Sequence, residues 1–450
     1  MVAEVDKTAS ESTFQCIFQK LTEDLLVLQK GINIEVNEKN KTMINLKGFL
    51  MGISLDLPAR GFVLLQKLFN GYDSCCYCYE HGTPIERITK SGKKHTTICF
   101  PIKGNSAKYR TKMSTMFDIY NSRRGFEKGY CQFFKLNYFS PNSIVCLDMM
   151  HNTMLGIGKK LLGMLSTPSP FRISKKRIAI IENHLRDIKF PKNYRRKLNG
   201  LSNLKAMDVF LIFLYCTDFF RFVPNGFYDL AVNLRTIFKE SFNTQITPSS
   251  LQIIKENCTN FVAEYQKKCG ILNCTHNFHL FLHLHEDLMN FGPAWTHSMF
   301  LFEGLNHQLN MDVHTTNNFE KRLMKNYQTR GEIKLKISEK LKQKSVFYVL
   351  LKKIKDLSKK KEKTGNLGVL FGKLGKHYNT WAILKNGSLG QIEKRKDLLF
   401  FHHPTTGDAR LIDESEILQP VIQTYILRNV NNKIEEEVIF EPILFISDLL

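Results

Sequence analysis

The sequence lacks a hydrophobic run long enough to cross a membrane. The apolar run from Val209 to Cys216 is far shorter than the ~18 to 20 residues that a spanning helix needs, and Asp208 and Asp218 flank it. The N-terminus has no basic segment followed by an apolar core, so the pattern of a secretory signal is missing. We therefore predict a chain without a membrane span that is not secreted.

Acidic residues are scarce relative to basic ones. The chain has 64 lysines and arginines against 42 aspartates and glutamates, a formal net charge of +22, and a pI near 9.4. Excess cations favour a polyanionic partner, because they displace the counterions that phosphates hold. Nucleic acid is the first expectation, and a membrane surface is the second.

An even, regularly spaced set of cysteines is also missing. Eleven cysteines are spread unevenly over 450 residues, which suits reduced thiols and a metal site better than a disulfide framework. There is no internal repeat. The chain is 43% hydrophobic and contains 34 phenylalanines, so it can bury a sizeable core in two or three domains. These features predict a globular intracellular protein.

The first third of the chain mixes helical and strand-like patterns. Apolar residues recur at helical spacing from Phe14 to Lys30, and Gly31 ends the pattern. The stretch TMINLKGFLMGISLD is β-like, which puts Asp56 at the carboxyl end of a strand. A second short strand, Ser143 to Leu147, leads into a helix that Asp148 opens.

The rest of the chain divides into a helical part and a tail. Helices are predicted up to about Gly292, with strong patterns at Lys205 to Phe222 and Ser249 to Lys268. A charge run follows from Lys334 to Lys363. Beyond it, short strands around an NGS turn predict a small β-module.

Two pairs of residues have the spacing of metal ligands. Cys75 and Cys78 form a Cys-x-x-Cys pair, whose two thiolates can reach one tetrahedral ion. His279 and His283, at i and i+4, share one face of a helix, whereas His276 and His285 fall off that face. Each pair alone also fits unrelated loop cysteines or buried histidines. The two pairs lie too far apart for a zinc finger, so a joint Cys2His2 site remains one of two interpretations.

An ordered set of segments resembles the CACTA-type DDE transposases of animals, whose core plan is shared with Transib elements and the catalytic subunit of the V(D)J recombinase. The segments are DLPARGF at Asp56, GYDSCCYC, LDMMHNTMLGIGKKLL at Asp148, LKAMDVFLIFLYC, and HNFHLFLHLHEDLMNFGPAWTHSMFLFEGLN. The order of the set is more specific than any one piece.

The resemblance implies a fold and a chemistry. In that family a ribonuclease H-like sheet carries three carboxylates that hold two divalent cations, Mg²⁺ or Mn²⁺, for DNA cleavage and strand transfer. The second acid matches Asp56, and the third, after a long helical insertion, matches Glu303. Asp148 and His151 match a motif found between these two acids. Four residues match a structural zinc site that ties the insertion to the core: Cys75, Cys78, His279 and His283. Cys76 is not needed as a ligand.

The expected fold is α+β and mostly helical, with a truncated ribonuclease H-like core, a long all-α insertion and a small C-terminal β-module. The predicted domains are a partial core with the zinc loop (1–147), the helical insertion (148–295), a final core helix region (296–345), a basic linker (346–365) and the β-module and tail (366–450). Only 13 residues precede Phe14, too few for three strands and the first acid. We therefore expect this chain alone not to cut DNA, and expect the strand before Asp56 to have an open edge.

The expected partners are transposon ends and target DNA, with self-association of the chain and no membrane; the expected compartment is the nucleus. Alternatives stay open for single residues. Asp56 and Asp148 each fit a helix N-cap, His151 fits a packed helix residue, and Glu303 fits a solvent-facing one. The basic segments Ile173 to Arg177 and Tyr194 to Lys197 fit solvated faces, and Lys359 to Lys363 fits a nuclear import signal or a linker. For the whole chain, the alternatives are a host-recruited, non-catalytic zinc protein that binds DNA or protein in the nucleus, and a helical zinc protein unrelated to DNA.

Overall fold

The computed structural model describes residues 11–37, 42–88, 92–104, 107–188, 198 and 200–311, some positions between 321 and 332, and six strands between 380 and 442. Within them the protein is a mixed α+β structure in which helices predominate. Three predicted features lie outside the described residues: the basic segment Tyr194 to Lys197, the charge run from Lys334 to Lys363, and the basic linker 346–365. None of the described helices combines the length and the apolar character that a membrane crossing requires.

The N-terminal helix α1, Glu11–Lys30, is present where apolar spacing predicted it. It is followed by an antiparallel hairpin of β1, Ile32–Asn37, and β2, Thr42–Leu46. The single β-like stretch read from the sequence is therefore divided between β2 and a separate strand, β3, Ile53–Leu55. The segment between them is held by backbone contacts, including the bond from the Gly48 amide to the Leu28 carbonyl at 3.0 Å.

Strand β3 pairs with β6, Val145–Leu147, in a two-stranded parallel sheet. Helix α2, Leu57–Leu64, follows β3, and the single-turn helix α4, Pro141–Ile144, precedes β6. The register joins Leu55 to Leu147, so the next residue of each strand is an aspartate. The ribonuclease H-like core stays a prediction, because a two-stranded sheet does not define that fold.

Between β3 and β6 the chain forms a second hairpin and a helix. The hairpin consists of β4, Thr83–Ile88, and β5, Lys94–Cys99, and helix α3, Lys112–Tyr120, follows it. A capping box opens α3: the side chain of Thr111 accepts from the Ser114 amide, and the Ser114 hydroxyl accepts from the Thr111 amide.

The segment after β6 begins as a π-helix, Met150–Gly158, where an ordinary helix was expected, and continues into α5, Lys159–Gly163. Gly156 allows a close approach here: a Cβ at this position would lie 2.3 Å from Nδ2 of Asn277. The remaining helices are α6 (Lys175–Asp187), α7 (Ala206–Tyr215), α8 (Phe227–Ser241), α9 (Pro248–Cys269), α10 (His276–Phe281), α11 (Leu284–Phe291) and α12 (Met299–Met311).

The chain forms two compact units. The first comprises Met1–Phe171, Lys205–Phe210 and Asp229–Phe302, and the second comprises Arg172–Leu204, Leu211–Tyr228 and Glu303–Leu450. Stacked aromatic rings fill the core of the first, for example Tyr265 on Phe278 with ring centroids 4.1 Å apart. The predicted five-part division remains a prediction.

The C-terminal strands belong to the second unit and form one antiparallel sheet of six, in the order β10-β9-β8-β7-β11-β12. They are β7 (Thr380–Leu384), β8 (Leu389–Arg395), β9 (Leu398–His402), β10 (Ala409–Ile412), β11 (Ile417–Val430) and β12 (Lys433–Pro442). This sheet occupies the stretch where the sequence predicts the β-module.

Candidate metal centre

The cysteine loop lies between α2 and β4 and is held by a neighbouring segment of chain. The amide of Tyr79 donates to the Lys108 carbonyl at 2.9 Å, and the amide of Arg110 donates to the Tyr77 carbonyl at 2.8 Å. Cys75 and Cys78 are both buried. The Tyr77 amide donates to Sγ of Cys75 at 3.4 Å, which orients that sulfur inside the turn.

The guanidinium of Arg110 is the main brace of this loop. Its Nε donates to the carbonyls of Cys75 and Cys78 at 3.0 and 3.1 Å, and its Nη1 donates to Oδ2 of Asp118 at 3.2 Å. Arg110 is 1% exposed and lies over the ring of Tyr79, 4.3 Å from its centroid. A buried, fully engaged guanidinium of this kind fixes both thiol-bearing residues at once.

The two histidines approach the loop from the end of the helical segment. The sequence predicted His279 and His283 on one helix. In the structure α10 ends at Phe281, and His283 precedes α11 with φ −91° and ψ 0°, so the pair does not lie on one unbroken helix. The backbone keeps a nearly helical course through the break, and the two rings remain neighbours with centroids 5.1 Å apart. Both side chains are buried.

All four ligand atoms meet within 4.8 Å of one another. Sγ of Cys78 lies 3.2 Å from Nε2 of His279, Sγ of Cys75 lies 3.7 Å from Nε2 of His283, and the two sulfurs are 3.8 Å apart. A tetrahedral zinc ion with bonds of about 2.3 Å to sulfur and about 2.0 Å to nitrogen separates two sulfurs by about 3.8 Å and sulfur from nitrogen by about 3.5 Å. The buried cluster can therefore hold a metal ion such as zinc.

The neighbouring cysteine differs from the two candidate ligands. Cys76 is not part of the cluster, and Nη1 of Arg60 donates to its sulfur at 3.3 Å. Burial raises the pKa of the Cys76 thiol to about 12, whereas the contact with Cys75 lowers the pKa of the Cys78 thiol. The thiolate is the form that binds metal, so this contrast agrees with Cys78 as a ligand and Cys76 as a bystander.

A second layer of side chains surrounds His283. The ring of Tyr77 stacks on the imidazole with centroids 4.7 Å apart, and Oε2 of Glu286 lies 3.5 Å from Nδ1. Burial disfavours the imidazolium, but the Cys75 thiolate and Glu286 together raise the pKa of His283 to about 9. Binding of a metal ion at Nε2 of His283 is accordingly expected to release a proton from the imidazolium.

Asp287, which was not among the predicted site residues, connects the metal centre to the parallel sheet. Its Oδ1 accepts from the Tyr77 hydroxyl at 2.7 Å, and its Oδ2 accepts from the amide of Leu147 at the end of β6. Complete burial raises the pKa of Asp287 to about 7. The available signal was a carboxylate one helical turn after His283, on a helix whose other buried positions are apolar.

Asp56 and Asp148 follow the two paired strands directly. Parallel strands in register end at the same edge of a sheet, so the backbones of these residues are neighbours. Oδ1 of Asp56 accepts from the Ala59 amide at 2.7 Å, which is the helix N-cap that the sequence allowed. This hydrogen bond is compatible with the predicted role as a metal ligand and does not test it.

Asp148 is buried and bonds in two directions. Toward its own helix, the carboxylate accepts from the amides of Met150 and His151 at 3.1 Å, and Nδ1 of His151 lies 2.6 Å from Oδ2. Toward α12, it accepts from the Met299 amide at 3.0 Å and lies 3.5 Å from the Ser298 hydroxyl. Asp148 therefore caps one helix and fixes the start of another.

Glu303 lies on α12, four residues after Met299, and is exposed. Within the described ranges, the Cys2His2 cluster is the one group of three or more metal-ligating side chains close enough to share an ion. The catalytic assignment of Asp56, Asp148 and Glu303 stays a prediction.

Substitution of the two strand-end aspartates is expected to have unequal effects. Asp148→Ala leaves the part-buried Met299 amide without its acceptor and removes a helix cap, so the free energy of unfolding should fall by about 2 to 4 kcal/mol. Asp56→Ala removes one cap bond at a half-buried position and should cost about 1 kcal/mol. Urea unfolding of both variants measures the difference, and equal losses would contradict the bridging role of Asp148.

Comparison with known proteins gives no family assignment: no family model matches the sequence, and no curated protein or solved structure matches it either.

Proposed function

We propose that the chain is a fragment or remnant of a CACTA-like DDE transposase, a family that cuts and joins DNA in the nucleus, and that structural zinc ties its scaffold together. The observation that carries the proposal is the Cys2His2 cluster, which joins the loop after the Asp56 strand to the end of the helical segment. The resemblance predicts that these distant segments are joined. The spacing within either pair of ligands does not predict the other pair.

The position of the two strand-end aspartates supports the same proposal. Asp56 and Asp148 follow neighbouring parallel strands, and the edge formed by the carboxyl ends of such strands is a common location of active sites. Asp148 also holds the first residues of α12, the helix that carries Glu303. In the proposed chemistry, Asp56 and Glu303 would hold Mg²⁺ or Mn²⁺, and the metal would supply activation of the attacking oxygen and stabilisation of the leaving one.

A second candidate function is a non-catalytic nuclear zinc protein that binds DNA or protein. It is favoured by the hydrogen bonding of Asp56, whose carboxylate serves as a helix cap, and by the lack of a clustered acidic group among the described residues. Both candidates share the zinc-tied scaffold and the basic charge. They differ in whether phosphodiester bonds are cut.

DNA binding tests what the two candidates share. With a net charge of +22, we expect the purified chain to bind duplex DNA with an affinity that falls steeply with salt. A protein that makes 6 to 10 phosphate contacts loses about 10³ to 10⁵ in affinity between 50 and 200 mM salt. Fluorescence anisotropy with a labelled duplex over this range measures the slope. Binding that does not change with salt would contradict the proposal.

A cleavage assay tests catalytic activity. Incubation of a supercoiled plasmid with the chain and Mn²⁺ should give nicked product if Asp56 is a catalytic ligand of an active enzyme, and the Asp56→Ala variant should then be inactive while still binding DNA. An intact plasmid, together with salt-dependent binding, agrees with a transposase fragment that does not cut DNA by itself and with the non-catalytic protein. Nicking that persists in Asp56→Ala would exclude Asp56 from the chemistry.

A further inference from the structure

The hairpin β4–β5 protrudes from the metal centre as a two-stranded ribbon. All described residues from Glu86 to Ile88 and from Gly92 to Thr96 are exposed, and the ribbon becomes buried only at its base. Each strand is six residues long, which corresponds to about 20 Å. An exposed ribbon of this length adds little to a hydrophobic core. Its position must therefore be fixed by contacts at its base.

The base of the hairpin is fixed on both strands. At the start of β4, Gly82 has φ +85°, and a Cβ there would lie 2.6 Å from the side chain of Ile98, so the chain turns tightly into the ribbon. At the end of β5, the Phe100 amide donates to the Cys274 carbonyl at 2.7 Å. The ring of Phe100 stacks on the candidate ligand His279 with centroids 5.7 Å apart. The direction of the ribbon is thus set by the metal centre.

The exposed part of the ribbon carries a net positive charge. Arg87, Lys93 and Lys94 are exposed, and the one acid among the described residues of the hairpin is Glu86, whose carboxylate lies 3.6 Å from Lys94 Nζ. The side chain of Lys94 is 77% exposed and that of Glu86 is 69% exposed, so the ion pair is weak. Lys94 can exchange the Glu86 carboxylate for a phosphate. Next to Lys94 in the register is Ile88, an apolar side chain that is 72% exposed.

We propose that this hairpin is a duplex-DNA-binding element that lies in the major groove and is held in position by the metal centre. The inference rests on the proposed DNA-binding function and assigns it to a surface. The major groove is about 12 Å wide and about 8.5 Å deep, and it admits a two-stranded β-ribbon. The cations contact phosphates along the groove, and Ile88 provides an apolar group of the kind that contacts thymine methyl groups.

The test removes the same charge from two places in the first unit. The hairpin variant carries Arg87→Gln, Lys93→Gln and Lys94→Gln, and the control carries Lys20→Gln, Lys255→Gln and Lys267→Gln, three exposed lysines on α1 and α9. Both leave buried residues untouched. Far-UV circular dichroism and zinc content are compared first with those of the unsubstituted chain.

Binding to a labelled DNA duplex and to an RNA duplex of the same sequence is then measured from 50 to 200 mM salt. We expect the hairpin variant to bind DNA about tenfold or more weakly at 50 mM salt, with a salt slope smaller by about 2 to 3, because each lost phosphate contact removes about 0.9 from the slope. The control should lose much less of both.

Three results would overturn the assignment, and they are distinguishable. Equal losses in the hairpin variant and the control would mean that net charge alone drives binding, which removes the hairpin and leaves the proposed function intact. A hairpin variant that loses affinity for duplex RNA but keeps it for DNA would assign the ribbon to RNA. Failure of the unsubstituted chain to bind DNA at 50 mM salt would remove the hairpin proposal and the DNA-binding function together.

Discussion

Cys78→Ser is expected to lose the bound zinc and the cooperative folding of the first unit. The substitution replaces one of four ligand atoms that meet within 4.8 Å, and a hydroxyl is a poor ligand for zinc. Structural zinc sites contribute apparent binding free energies of about 10 to 16 kcal/mol, whereas whole domains are stable by about 5 to 15 kcal/mol. Loss of the ion can therefore cancel most of the stability of the unit that contains it.

The same result is expected for His283→Ala, because the two substitutions remove ligands from opposite sides of the site. The matched controls are Cys76→Ala and His285→Ala. They alter residues one and two positions from a candidate ligand and leave the four residues of the cluster unchanged. Elemental analysis of the purified proteins should give one zinc per chain for the controls and much less for the two ligand variants. Thermal unfolding with and without a chelator should show the same grouping.

Two outcomes would contradict this prediction. One zinc per chain in Cys78→Ser would exclude that residue as a ligand. Loss of zinc in Cys76→Ala would mean that the whole loop, and not the particular sulfurs, decides metal content. A control that is less stable yet retains zinc agrees with the prediction, since Cys76 is buried and accepts a hydrogen bond from Arg60.

The sequence predicted each half of the metal site better than the link between them. Cys-x-x-Cys and His-x-x-x-His are local patterns, so spacing alone identifies both pairs. The contacts that bring the pairs together are not local: Phe100 packs on His279, and Tyr77 packs on His283. The residues alone left a joint Cys2His2 site as one of two interpretations, and the cluster agrees with that interpretation.

The two hairpins were missed for different reasons. In β1, the apolar residues Ile32, Ile34 and Val36 alternate with polar ones, a strand pattern for which no element was predicted. In β4–β5 the alternation is weak because most of its side chains are exposed, so hydrophobic periodicity carries little signal. The division of one β-like stretch into β2 and β3 likewise depends on which strand each half pairs with, which composition does not reveal.

Arg110 shows the limit of local patterns most clearly, because nothing in its sequence neighbourhood marks it as part of a metal centre. Its role arises from contacts with residues 35 and 32 positions away, the carbonyls of Cys75 and Cys78. The buried carboxylate of Asp118 accepts from it as well, and Nη2 reaches two more carbonyls, those of Asp73 and Arg124.

Arg110→Met should destabilise the first unit strongly and weaken zinc binding. Removing one partner of a buried ion pair typically costs about 3 to 5 kcal/mol. Arg123 and the Tyr79 hydroxyl still bond to the Asp118 carboxylate in the variant, so we expect a loss near the lower end of this range. Arg110 and Asp118 have side chains that are 0% and 2% exposed, so this range applies without discount for solvent. Because the lost side chain also orients both thiol-bearing residues, zinc affinity should fall about 10- to 100-fold, as it does when the partners of metal ligands are removed.

The matched control is Arg123→Met, since Nε of Arg123 donates to the other oxygen of the same carboxylate at 3.1 Å. That guanidinium is 46% exposed and contacts no ligand backbone in the described hydrogen bonds, so the expected loss is below about 1 kcal/mol with unchanged zinc affinity. Urea unfolding and competition with a zinc chelator measure both quantities for both variants. Equal losses of stability and equal zinc affinities in Arg110→Met and Arg123→Met would contradict the role of Arg110 in orienting the cysteine loop, because either cation would then suffice for the Asp118 carboxylate. The loop would have to be held by the backbone hydrogen bonds between residues 77–79 and 108–110, which both variants retain.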